Sequence, residues 1–211
     1  MSTRQKIILN IFIAVNFAAF SFATPSFAVP LSASKSFTLS ASIQAATGIS
    51  INASKVDTAS NQFSPVTGLA LSFNPMVPDL VNGTFVPDHY FAIDVGTTGG
   101  AGVPTVTVKY TEGANPNNPG GPSHGLGTKS TATFVKISGT TETQLTNHGP
   151  KKLLINTDET IAPSEIVGAY LRVYVGIVTG GTGVPAGGEP FTNADVPGTY
   201  DGTLVVSATT P

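Results

Sequence analysis

The sequence predicts an all-β sandwich, and three observations carry that prediction. Only 10% of its 211 residues are charged, where an ordinary globular chain carries about 25%. Its 23 Gly and 16 Pro are too many for a helical bundle, and they lack the every-third-residue spacing that collagen requires. Short apolar runs recur between turn residues, and no window of a dozen residues keeps a 3.6-residue period.

The N-terminus stands apart. Arg4 and Lys6 precede an apolar run over residues 7–22, interrupted by Asn10, Asn16 and Ser21, and Ser26-Phe27-Ala28 follows as a small-x-small site. A run of about 16 residues falls short of the ~20 a spanning helix needs, so residues 1–28 read as a signal peptide cut before Val29. The exported remainder has 183 residues, with 8 bases against 12 acids and no basic cluster longer than Lys151-Lys152. Nucleic acid is therefore not an expected partner. Export leads to a compartment where disulfides form, yet the chain has no Cys, so burial and strand pairing must stabilise it.

Residues 29–46 read as an N-terminal extension and 47–211 as one domain. Within the extension, Phe37, Leu39, Ala41, Ile43 and Ala45 alternate with polar residues, the pattern of a strand with one buried face. A second strand starts at Ile49-Ser50-Ile51 after Gly48. Further strands are expected over 69–73, 90–95, 106–110, 132–137, 153–155 and 167–178, separated by Asn74-Pro75, Pro78-Asp79, Pro87-Asp88, Gly99-Gly100 and Gly180-Gly181. A helical turn fits 162–165, and residues 113–127 and 180–190 read as surface loops. The last strand places Tyr200, Leu204, Val206 and Ala208 on one face, with Gly202 where another backbone can approach. Seven or more short strands in an exported domain of this size predict an immunoglobulin-like sandwich.

The two ends together resemble the pilins of the alternate chaperone-usher pathway, the major subunits of colonisation-factor-type and common pili. Three features carry the likeness: the alternating segment from Lys35 to Ile43, the strand Gly48-Ile49-Ser50-Ile51 behind it, and Gly198-Thr199-Tyr200-Asp201-Gly202 followed by a strand and a stop, similar to that family's Gly-x-Tyr-x-Gly ending. The middle of the chain, including both glycine-rich loops, has no counterpart in that pattern.

The resemblance implies an incomplete sandwich, finished by donor-strand exchange with a neighbouring copy. Phe37, Leu39, Ala41, Ile43 and Ala45 would be the inserted strand, and Tyr200, Gly202, Leu204, Val206 and Ala208 would line the acceptor groove. Burying Phe, Leu and Ile at about 1.5 to 3 kcal/mol each gives roughly 5 to 9 kcal/mol, set against an association cost on the order of 4 to 15 kcal/mol. It further implies a periplasmic chaperone and an outer-membrane usher as partners, a possible tip adhesin, passage through the periplasm, and a final place in a surface fimbrium supporting adhesion or biofilm. The alternative is a monomeric secreted β-sandwich module that binds sugar or protein through its loops.

No catalytic, metal or cofactor site is expected. His89, His124 and His148 lie far apart in turn-like contexts, without the paired spacing of metal ligands. Asp94, Asp158 and Glu159 read as solvated turn residues rather than as a glycosidase pair. Residues 96–102 are glycine-rich but lack the Lys-Ser/Thr of a phosphate loop. Tyr90, Phe91, Tyr110, Tyr170 and Tyr174 read as packing aromatics rather than as sugar platforms.

Overall fold

A computed structural model describes residues 36–43, 48–68, 70–98, 100, 102–113, 125–153, 158–181, 184–196 and 198–210, with 36–43 described through their backbone. The leader, Ala45 and His124 lie outside the described residues. Among the described residues the fold is all-β apart from short helical turns, with two main sheets and a small third one.

The first sheet has the order β12, β8, β15, β1, β4, where β12 is Asp158–Ile161, β8 Thr105–Glu112, β15 Gly202–Thr209, β1 Ser36–Ile43 and β4 Ala70–Ser72. Its centre is the antiparallel pair β8 and β15, in register from Gly202 opposite Glu112 to Thr209 opposite Thr105. Both strands alternate strictly. Val106, Val108 and Tyr110 of β8 and Leu204, Val206 and Ala208 of β15 are buried, while the residues between them, largely Thr and Ser, are half-buried or exposed.

The second sheet runs β10 (Thr141–Gln144), β9 (Ser130–Ser138), β13 (Tyr170–Ile177), β7 (His89–Thr97), β2 (Ile49–Asp57), β3 (Phe63–Pro65), with β11 (Lys151–Lys152) on the far end of β9. Its inner face contributes Phe91, Ile93, Val95, Phe134, Leu171, Val173, Val175 and Ile177. These join the inner residues of the first sheet in one contiguous core, the architecture of a sandwich. A small sheet of β14 (Phe191–Thr192), β6 (Thr84–Pro87) and β5 (Met76–Asp79) adds Phe85 and Phe191 to that core.

Several expected boundaries move for local reasons. The strand expected over 167–178 begins at Tyr170, because Gly168 turns the chain at φ +68 and leaves Val167 68% exposed. Of the strand expected at 153–155, residues 154 and 155 lie outside the described residues; Leu153 follows the two-residue strand Lys151–Lys152, is buried, and donates its N–H to the Ser130 carbonyl. Asp158 and Glu159, expected in a turn, form the edge strand β12, in register with Lys109 and Val108. A one-turn helix, Leu126–Lys129, occupies the end of the expected loop 113–127, and the Glu112 carboxylate accepts the N–H groups of Leu126 and Gly127. The helical turn near 162–165 is a 3-10 turn, Pro163–Glu165, whose Glu165 side chain accepts the Ala162 N–H.

Candidate strand-exchange site

The alternating N-terminal segment lies inside the first sheet of its own chain. β1 runs parallel to β15, with Phe37 opposite Gly202, Leu39 opposite Leu204, Ala41 opposite Val206 and Ile43 opposite Ala208. Its other edge is antiparallel to β4, with Phe37 opposite Leu71. The odd positions of β1 thus share register with the buried positions of β15 and with the buried Leu71. Among the described residues β4 joins the sheet only through β1, so β1 fills a one-strand slot.

Each wall of that slot is held from beneath. On the β15 side, Tyr200 is fully buried, its ring meets Phe191 edge-on at 5.0 Å, and its hydroxyl donates to the Val196 carbonyl. Burial pushes the Tyr200 hydroxyl up to about 12. Tyr200 precedes the strand, which begins at Gly202. At Gly202 the close approach comes from a ring: a Cβ there would stand 2.0 Å from the Tyr110 hydroxyl oxygen. On the β4 side, buried His89 of β7 reaches across the sandwich. Its Nε2 lies 2.7 Å from the Ser72 carbonyl and its Nδ1 2.5 Å from Asp88 Oδ1. The His89 bond holds the Asp88 carboxyl below its usual range. Phe73 stacks on His89 at 6.0 Å and meets Phe91 edge-on at 5.0 Å.

Three charged clusters lie elsewhere, and none of them is visible in the sequence. On the outer face of the second sheet Arg172 forms a fork with Asp94 at 2.6 and 2.9 Å, reaches Glu142 at 2.9 Å, and lies 4.7 Å from the Phe63 ring centre. Between the sheets His148 bridges Glu159 and Glu165, and Lys151 is 2.8 Å from Glu159. Beside the helical turn, Lys129 is buried against Asp195. Asp94 and Glu159 fall on different sheets with different cations, and among the described residues no group of three His, Cys, Asp or Glu could hold a metal ion.

An open depression of about 490 Å³ on the second sheet is lined by Ser50, Asp94, Gly96, Thr97, Gly139 and Tyr170, among others. The glycine-rich stretch 96–102 thus begins as the end of β7. Tyr90, Tyr170 and Tyr174 project from the outer face of this sheet, whereas Phe91 and Tyr110 are core residues.

No protein-family model, no curated protein and no solved structure matches this chain.

Proposed function

We propose that this chain is a structural subunit of a surface fibre, joined head to tail when the N-terminal strand of one copy enters the β1 slot of the next. One observation carries the reading: Phe37–Ile43 of the alternating segment and Gly202–Ala208 of the last strand, far apart in sequence, pair residue for residue, and the strand between β15 and β4 is the one that precedes the body of the fold in sequence. An element that occupies a slot in its own chain can occupy the same slot in an identical neighbour with the same contacts, which is the logic of domain swapping. Each copy gives one strand and receives one, so the contact is heterologous and propagates as an open filament.

The cis position of β1 also bears on assembly. With the slot empty, β15 presents an unpaired edge beside apolar side chains, an aggregation hazard that a cell manages with a strand-lending chaperone and an exchange-catalysing usher. With β1 folded back, the monomer is protected and exchange must open the sheet. Fibre lifetime is then set by an unfolding barrier rather than by affinity. The fibre would stand on the cell surface after export, with host attachment belonging to the assembly or to a tip subunit.

The competing reading is a closed monomer, an exported module that binds a small polar ligand or a protein. The depression beside Tyr170 and Asp94 is the observation that favours it. Negative-stain microscopy and unboiled gels of the exported protein separate the two: fibres and heat-labile ladders are expected, and a single monomer band at every concentration would overturn the fibre reading.

A further inference from the structure

We propose that the side chains of Lys129 and Asp195 become joined by an intramolecular amide bond, a self-made cross-link in a chain that has no cysteine. The inference stands apart from the fibre reading. It begins with a lysine in an unusual place. Lys129 closes the helical turn Leu126–Lys129 and leads into β9, and its side chain is only 5% exposed. Lysine is seldom fully buried, and a buried ion pair is weak support for a fold because desolvation offsets its attraction. What surrounds the Nζ atom is arranged as a reaction site.

Nζ lies 2.7 Å from Asp195 Oδ1, and the Asp195 side chain is itself 10% exposed. A second carboxylate, Glu189, is 3.6 Å from Nζ, and the Pro190 carbonyl accepts from Nζ at 3.1 Å. The Phe191 ring centre is 5.4 Å from Nζ, and Tyr200 packs edge-on against Phe191. The other Asp195 oxygen, Oδ2, accepts the Thr192 N–H at 2.7 Å and lies 3.3 Å from Thr192 Oγ1. The two oxygens of one carboxyl are thus divided, one facing the amine and one facing a fixed backbone donor.

The chemistry balances without any other reactant. A proton passes from Nζ to Oδ1 across their 2.7 Å contact, giving the neutral amine and neutral acid that react with each other. The Nζ lone pair attacks Asp195 Cγ, and the charge that develops on Oδ2 is met by the Thr192 N–H, as in an oxyanion hole. Glu189 takes the second proton from Nζ and returns it to Oδ1, which leaves as water. One C–N bond forms, one C–O bond breaks, and the product is an amide plus a water molecule. The link fixes the loop after β14 to the base of β9 and closes a 66-residue loop, where a disulfide would serve in a cysteine-bearing exported domain.

Intact-mass spectrometry of the purified full chain tests this directly. The wild-type protein is expected about 18 Da below the mass its own sequence requires, with a branched tryptic peptide joining Lys129 to Asp195 and no cleavage after Lys129. Lys129→Arg and Asp195→Ala should restore the full mass, and Glu189→Gln should leave most of the protein unlinked. A wild-type chain at full mass after prolonged incubation overturns the proposal without recourse to any variant. So does a deficit that persists in Lys129→Arg, which would place the lost water elsewhere, such as a succinimide at an aspartate.

Discussion

The two main sheets are built in different ways. In the second sheet the long strands β2, β7, β13 and β9 are mutual antiparallel neighbours from the body of the chain. Its outer face carries its own restraint in the Arg172 fork and the rings around it. The first sheet has a comparable central pair in β8 and β15, but the outer positions of that pair are mostly Thr and Ser, and among the described residues β4 is joined to it only through β1. Pairing Phe37 with Gly202 closes a loop of some 165 residues, so this contact carries a larger loop-closure cost than the pairings between neighbouring body strands. One half of the sandwich is built from strands of the domain body, and the other takes in the N-terminal strand β1 between β15 and β4.

Removing that strand is the largest break available. Deleting residues 29–45 should open the slot and lower the melting temperature by about 10 °C or more, since several kcal/mol of pairing and burial are lost and each shifts Tm by roughly 2 to 4 °C at this size. A synthetic peptide spanning 35–45 should restore most of that loss in trans. Calorimetry with and without peptide is the measurement, and an undiminished Tm in the truncated monomer would sink the idea of an unfinished sheet. In the full chain, Phe37→Asp or Leu39→Asp should abolish polymer growth, because an unpaired charge in an apolar slot costs several kcal/mol. Unchanged polymer length by electron microscopy would count against exchange.

The same contrast marks what the sequence makes legible. Strands whose faces differ in polarity over eight or nine residues, β7, β8, β9, β13 and β15, fall within a few residues of where alternation and turn residues place them, because burial itself produces the alternation. The second half of β2, with polar residues on both faces, and the short strands β3, β5, β6, β10, β12 and β14 escape, since four residues or fewer carry no period. Both chain ends announce themselves as strands, but nothing local in Phe37 or Leu204 encodes that they meet in parallel within one chain. Lys129, Arg172 and His148 are similarly opaque: their partners lie up to 78 residues away, and only the fold brings them into reach.

A smaller break acts inside the first sheet without touching its end strand. In Gly202→Val the new Cβ would collide with the Tyr110 hydroxyl and ring, and because Tyr110 is itself buried the ring has little room to yield. Overpacking of this kind costs about 1 to 3 kcal/mol. Combining Gly202→Ala with Tyr110→Phe should recover part of the loss caused by Gly202→Ala alone, since the hydroxyl oxygen is the nearest atom, and a double-mutant cycle in urea measures that coupling. The corresponding change in the second sheet, Arg172→Met, should cost about 1 to 2 kcal/mol through loss of a partly buried fork and leave polymer growth intact. If Arg172→Met stops growth as firmly as Leu39→Asp, the two sheets do not divide the work in this way.

The smallest effect lies at the seam where the two sheets meet. Glu159 of β12 in the first sheet bonds Lys151 of β11 in the second, and His148 links Glu159 to Glu165. Burial works to raise the Glu159 carboxyl, but the Lys151 and His148 bonds prevail and hold it below the ordinary glutamate value of 4.5; Glu165 is lowered first by the Ala162 N–H. A carboxyl depressed by folding contributes stability that is fully present above its unfolded value and is lost as pH falls through its folded one. The seam should therefore hold from neutral pH down to about 4.5 and loosen progressively below it. Glu159→Gln should lower Tm at pH 7 and flatten its decline below pH 4.5, with little effect on peptide rescue of the truncated chain, because the seam lies at the β12 edge and the slot at the opposite one. Equal acid sensitivity in Glu159→Gln and wild type would move the titration elsewhere and remove the seam as the acid-labile joint between the sheets.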